Sequence, residues 1–473
     1  MNSGRSIAKN IGVLTFAQIV SFLFGFFCVM YTSRYLGVEG FGILSFALAF
    51  TGILGVFSEF GLNTLTVREV ARNNSLARKY VGNIIIIKSI LYIVFFGVIA
   101  LSINILKYPE QTVKVVYIIA LSTVFNSAGS IFNSIFQAFE KMEYVSIGTI
   151  VNSLLIFAGI LFAIYQKYDI ITFASIYFFA SLIVLIYSYF VFSWKFFVPN
   201  VELDFGFCKS VMQQSWPFFL SAIVDIVAFK VDMIMIEIMK GNISVGYYSA
   251  AYKLLEALMF IPGIFAASIY PAISKFFISS PESLKMVYQK GFKYLLILAF
   301  PIAVGTTLLA NKIIFLIYKG EFVQSIFALQ ILIWTVPLIF LSSLLGILLA
   351  SINRQALAFK INFIGMLLNI CMNLVLIPKY NFIGSSLATV ITSLISLILC
   401  YHFISKYIFK LSLYKLITKI LISNLVMSLF IIYLVDINLP LLICISIVIY
   451  FTMLFISGIL SKEDLELLKQ IGV

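Results

Sequence analysis

Charge is what this sequence has least of. Aspartate, glutamate, lysine and arginine make up 11% of its 473 residues, where a soluble domain carries about a quarter. There is too little polar surface for any part of the chain to fold as a water-soluble domain. Histidine occurs once, at position 402, at the cytoplasmic end of the twelfth expected span, and without a partner it reads as interfacial rather than catalytic. The five cysteines, Cys28, Cys208, Cys371, Cys400 and Cys444, form no close pair, so neither a disulfide framework nor a metal cluster is implied. A nucleophile motif, a glycine-rich phosphate loop and carboxylates at enzyme spacing are all missing, which argues against ATP hydrolysis and against catalytic residues of any kind. No cofactor is expected.

What the chain has is apolar length. It is 62% hydrophobic, and runs long enough to cross a bilayer recur from end to end. Windows of about 19 residues, broken at charges, glycine and proline, give about fourteen spans. The run from Ile11 to Tyr31 is too long for a cleaved signal core and reads as a retained first helix. The expected fold is therefore an all-α polytopic membrane protein.

Lysine and arginine fix the orientation, because cationic loops stay on the cytoplasmic side. With the N-terminus inside, the inner loops hold Arg68, Arg72, Arg78, Lys79, Lys141, Lys195, Lys285, Lys290, Lys293, Arg354 and, near the other end, Lys462 and Lys469. The outer side keeps few, Lys107, Lys167, Lys319 and Lys379 among them. Both termini are expected in the cytoplasm and the number of spans even. The net charge of +13 sits in these short loops without a solvated basic cluster, so nucleic acid is excluded as a partner.

Two stretches recur. Gly42, Ser45 and Ala47 at the start of the second span match Gly246, Ser249 and Ala251 in the eighth. Lys167-Tyr168-Asp169-Ile170-Ile171, entering the sixth, matches Lys379-Tyr380-Asn381-Phe382-Ile383, entering the twelfth. Both matches shift the chain by six helices, an even number, which predicts two six-helix lobes in parallel pseudo-repeat. The expected boundaries are 1–195, 210–405 and an added helix pair at 417–460.

Ionisable groups at membrane depth are costly and therefore informative. The seventh span carries Asp225, Lys230, Asp232 and Glu237, and the eighth Lys253 and Glu256. Asp225 and Asp232 share a helix face at a spacing of seven, Lys253 and Glu256 at three. The plain account is mutual pairing; the functional one is a cavity in which lysine holds a phosphate and carboxylate takes up a proton or Na⁺. Lys88, placed at the start of the third span, and Lys312, near the end of the ninth, are expected to snorkel to the interface.

Ser33-Arg34-Tyr35-Leu36-Gly37 with Gly40-Phe41-Gly42, then Phe60-Gly61-Leu62 before Arg68-Glu69, Phe139-Glu140-Lys141-Met142, and Asn369 through Asn373 to Ile377-Pro378-Lys379-Tyr380 with Gly384 and Ala388 together resemble the polysaccharide-transporter flippases of O-antigen type. These belong to a superfamily that includes lipid II flippases and multidrug exporters. The resemblance runs from about residue 5 to 405. It implies a multi-pass protein of the plasma or inner membrane that moves a polyprenyl-pyrophosphate-linked oligosaccharide outward by ion-coupled alternating access. Its partners would be that substrate, the bilayer and glycan-assembly proteins, and the chain would act as a monomer. The substrate-binding candidates are Lys230, Lys253 and Arg34, and the ion-coupling candidates Asp225, Asp232 and Glu256. An exporter of small cationic molecules is the competing expectation, since the acidic groups depart from the cationic cavity usual in the family.

Overall fold

The computed structural model describes residues 2–263, 265, 269, 273, 276, 279–407 and 414–460. The end of the expected eighth span and the C-terminal segment with Lys462 and Lys469 lie outside the described residues. Among the described residues all regular structure is helical, and ten segments are long and apolar enough to cross a membrane. Two of these, of 48 and 52 residues, would each extend about 70 to 80 Å if straight, more than twice a bilayer core. Both break where the chain leaves helical geometry: α1 (Asn2–Glu59) at Gly37 and α12 (Gln355–Tyr407) at Asn381. Each contributes two arms. The expected seventh span is α7 (Phe205–Lys240), which is not among the ten.

The chain forms two compact units, Met1–Gly246 and Tyr247–Val473. In the first, α1 packs on α5 (Met142–Tyr165), α7 and α4 (Glu110–Ala138), and α4 packs on α6 (Ile170–Lys195). A short amphipathic helix, α2 (Leu62–Arg72), buries Leu62, Leu65 and Val70 and turns Arg72 outward. Its 11 residues are too few to cross a membrane. Next comes α3 (Ala77–Leu106). The core here is aromatic and aliphatic, with Phe132, Phe136 and Phe192 around Leu65, Val81 and Ile135. By contrast Ile93 and Phe190 are 74% and 67% exposed, the outward apolar face that a lipid solvent accepts without penalty. Asp204 caps α7 by accepting from the Phe207 amide at 2.9 Å, and pairs with Lys79 at 2.8 Å. The lysine, then that amide, hold its carboxyl below the usual carboxylate range.

In the second unit, which opens on the later residues of α8 (Asn242–Glu256), the long helix α9 (Pro281–Tyr318) packs on α11 (Thr335–Ser351) and α13 (Tyr414–Tyr433), and α13 on α14 (Leu439–Ile456). Tyr318 Oη donates to the Ala250 carbonyl at 2.9 Å, and Tyr450 Oη to that of Ile297 at 3.0 Å. The expected tenth span is split into α10 (Ser325–Leu332) and α11 by a turn at Ile333–Trp334. Pro337, two residues inside α11, cannot donate to Ile333, which places the turn there.

Residues with positive φ recur at the expected helix ends, although Lys107 is left-handed with ψ 48° and Lys319 has ψ −170°. Gly37 has φ 68° and ψ −173°, and Gly241 has φ 81° and ψ 176°, a region open essentially to glycine alone. Lys107 and Lys319, each closing a helix, both have positive φ. Glu140 and Asn353 do as well, each inside the same cap, in which Lys141 N reaches the Phe136 carbonyl and Arg354 N that of Leu349, both at 2.8 Å.

Candidate functional site

Lys88 lies eleven residues into α3, about 17 Å along the axis from Ala77, and its side chain is wholly buried. Its ammonium donates to Glu59 Oε2 at 2.9 Å, the Ser127 carbonyl at 2.8 Å, Ser130 Oγ at 3.0 Å and Asn63 Oδ1 at 3.1 Å, with Ser127 Oγ at 3.2 Å. Three protons are shared among five acceptors. The expectation that Lys88 snorkels is wrong: α3 starts seven residues before the apolar window does, so the lysine sits a third of the way along the helix rather than at its end.

Three elements converge to make this possible. α1 ends at Glu59, and the positive φ angles of Phe60 and Gly61 turn the chain so that Asn63 returns onto the same carboxylate through a short hydrogen bond from Nδ2. Ser127 and Ser130 stand one turn apart on α4. The Ser130 hydroxyl lies 3.0 Å from Glu59 Oε1 and 2.6 Å from the Ser127 carbonyl, and its one proton serves one of them at a time. An ammonium this deep would cost several kcal/mol if left alone. Here a carboxylate and four neutral oxygens compensate it.

A pocket of about 540 Å³ opens beside this network. Asn63 and Ser130 belong to both; Arg68, Asn133 and Gln137 add a cation and two amides, and Phe218 from α7 adds an aromatic wall. The Arg68 guanidinium stands 5.4 Å from the Phe218 ring centroid and binds Glu69 at 2.7 Å through Nε. Amides, a hydroxyl and a guanidinium beside an apolar wall can hydrogen-bond sugar hydroxyls or phosphate oxygens while the ring covers a sugar face. Motif reading missed this site because its parts come from four helices; the paired placement of Glu59 and Lys88, both ionisable and both in apolar surroundings, was the one available signal.

The sequence-derived candidates are placed as follows. On α7, Asp232 is 2% exposed and Glu237 7% exposed, Lys230 is half-buried and Asp225 exposed. The shared face of Asp225 and Asp232 is thus covered only toward Asp232. Glu237 accepts a short hydrogen bond from Tyr108 Oη. Arg34 is half-buried, three residues before the Gly37 break. Arg34, Lys230, Asp232 and Glu256 are all engaged with a neighbour. In the second unit Lys253 and Glu256 form an ion pair at 2.6 Å. Lys312, expected at the interface, is half-buried and donates to the Ile437 carbonyl at 2.8 Å in the turn before α14.

Residues 7–277 match the family model described as polysaccharide biosynthesis protein, more than half the chain. The chain belongs to that family. The match takes in the Lys88 network, the pocket beside it and every charged residue of α7 and α8. A low-salt glycan biosynthesis flippase of Haloferax volcanii is 23% identical over 198 residues, 42% of each chain, so the match spans less than half the length of that relative. An O-antigen transporter of Escherichia coli is 25% identical over 278 residues, covering 58% of this chain and 66% of that one. The lipid II flippase MurJ in an inward closed conformation superposes with TM-score 0.77 at 19% identity over 93% of this chain and 97% of its own. An inward-facing multidrug transporter of the MATE family gives 0.67 at 14%, over 84% and 98%. The fold is that of these transporters.

Proposed function

We propose that this chain is a flippase that carries a polyprenyl-pyrophosphate-linked oligosaccharide across the cell membrane by alternating access. The observation that carries the reading is the polar pocket over the Lys88–Glu59 network, an array of amides, hydroxyls and a guanidinium in a chain otherwise as apolar as its solvent. Membership of the polysaccharide biosynthesis family and relatives named as a glycan flippase and an O-antigen transporter support it. In this reading the chain is a transporter and not an enzyme. The pocket receives sugar, while Arg34, Lys230 and Lys253, none of which lines it, hold the pyrophosphate, and Asp225, Asp232 and Glu256 take up the coupling ion. Lys253 would exchange Glu256 for phosphate when substrate arrives. Both termini lie in the cytoplasm, the protein works as a monomer, and glycan-assembly proteins supply the substrate.

The competing reading, an ion-coupled exporter of small cations, draws on the carboxylates of α7 and on the MATE-like fold. The two are separated at Lys230. If Lys230 binds phosphate, Lys230→Ala leaves the amount of inserted protein nearly unchanged, abolishes surface glycan per unit of that protein, and is not rescued by adding Asp232→Asn. If it only balances Asp232, the single variant lowers the folded amount and the double restores it. Normal surface glycan with Lys230→Ala would remove this residue from the site.

A further inference from the structure

A second polar cavity, of about 360 Å³, lies away from the pocket just described, where α3 begins and α4 and α6 end. Its polar lining is Asn74, Ser75, Arg78 and Lys195, and its walls include Phe139 and Phe197. No acidic residue lines it. The neighbouring Lys79 is neutralised by Asp204, whereas among the described residues Arg78 and Lys195 have no carboxylate partner and are held over aromatic rings. Arg78 stands 5.1 Å from the Phe197 centroid and Lys195 3.9 Å from that of Trp194. Ser75 Oγ is already committed as a donor to Asn73 Oδ1 at 2.7 Å, so the donors left for a ligand are the Asn74 amide and the two cations. This is the donor set of a phosphate site.

The surroundings say where the phosphate comes from. Trp194, one residue before Lys195 at the end of α6, is 71% exposed, and an exposed tryptophan at the end of a membrane helix marks the level of the lipid headgroups. Ile183, Ile186 and Phe190, at helical spacings of three and four, are 44%, 58% and 67% exposed and form with Trp194 one apolar stripe leading away from the cavity along α6. Such a stripe suits an acyl chain. A free anion would need the two cations but not the stripe.

We propose that this cavity binds the phosphate headgroup of an anionic phospholipid whose acyl chain lies along the Ile183–Trp194 face of α6. Two cations near a membrane surface, at about 1 kcal/mol each, enrich an anionic lipid locally on the order of tenfold or more over a neutral one. The site is separate from the transport pocket, so it stands or falls independently of the flippase reading.

The chain has three tryptophans, so Trp216→Phe with Trp334→Phe leaves Trp194 as the reporter. This variant is reconstituted into phosphatidylcholine vesicles containing a low mole fraction of brominated phosphatidylglycerol or, separately, brominated phosphatidylcholine. The expected result is markedly stronger quenching by the brominated anionic lipid at equal mole fraction. That preference should vanish in Arg78→Gln/Lys195→Gln and persist in Arg78→Lys/Lys195→Arg, whose charges are kept. Inorganic phosphate at millimolar concentration should leave it unchanged. Equal quenching by the two lipids in the reporter protein, a preference surviving loss of both charges, or its removal by inorganic phosphate would each overturn the proposal, the last in favour of a free-phosphate site.

Discussion

Removing one partner of a buried ion pair costs more than removing both, because the survivor keeps its charge and loses its compensation. Lys88→Met should therefore lower the thermal midpoint in detergent by the equivalent of about 3 to 5 kcal/mol, somewhat less to the extent that the Glu59 side chain, 31% exposed, reaches water. Adding Glu59→Gln should recover much of the loss. A Lys88→Met protein as stable as the parent would mean that the network is not structural. The contrast with Lys253 and Glu256 shows what a sequence discloses at this scale. Their pairing follows from a spacing of three on one helix. Lys88 finds Glu59, Asn63, Ser127 and Ser130 from 25 to 42 residues away on other elements, and Lys312 finds Ile437 across 125. A charge inside an apolar run announces that a partner exists, while which partner is a property of the packing.

Two glycines decide how closely helices approach within the first unit. A β-carbon on Gly42 would run into the Asn242 carbonyl, and one on Gly246 into the Val38 carbonyl, reciprocal contacts with the residues that follow the Gly241 and Gly37 breaks. Small residues at crossing points let membrane helices pack backbone to backbone. Gly246→Val should sharply reduce the monodisperse fraction on size-exclusion chromatography, whereas Gly52→Ala, in the same arm as Gly42 and with nothing within 4 Å, should leave it unchanged; equal behaviour of the two would remove the close approach from the account. The match between Gly42 and Gly246 was legible in the sequence because glycine itself was the signal. The recurrence of positive φ at Lys107 and Lys319, and at Glu140 and Asn353, was not, since lysine, glutamate and asparagine carry no such mark. The start of α3 was misjudged for a related reason: the apolar window opens only at residue 84, although the helix begins at Ala77 and carries Arg78 and Lys79.

For the whole molecule, membrane character and family were open to reading from composition and scattered motifs, because apolar length and glycine-marked turns are written locally. The polar pocket was not, since it exists only once α2, α4, α5 and α7 are assembled around it. The distribution of lysine and arginine predicts that Arg68, Arg72, Arg78 and Lys79 face the cytoplasm and Lys107 and Lys379 the outside. Single cysteines labelled from outside intact cells should react at 379 and stay silent at 72, and the reverse pattern would invert the direction of transport. The central claim is tested most directly in vesicles carrying a fluorescent lipid-linked oligosaccharide in both leaflets, with an impermeant reductant added outside. Protein-free vesicles keep about half of their signal, the share in the inner leaflet. With the protein present and an ion gradient imposed, the account predicts that nearly all the signal is lost as inner-leaflet molecules are carried out. Retention of half the signal, in vesicles shown to export a small organic cation such as ethidium, would contradict it.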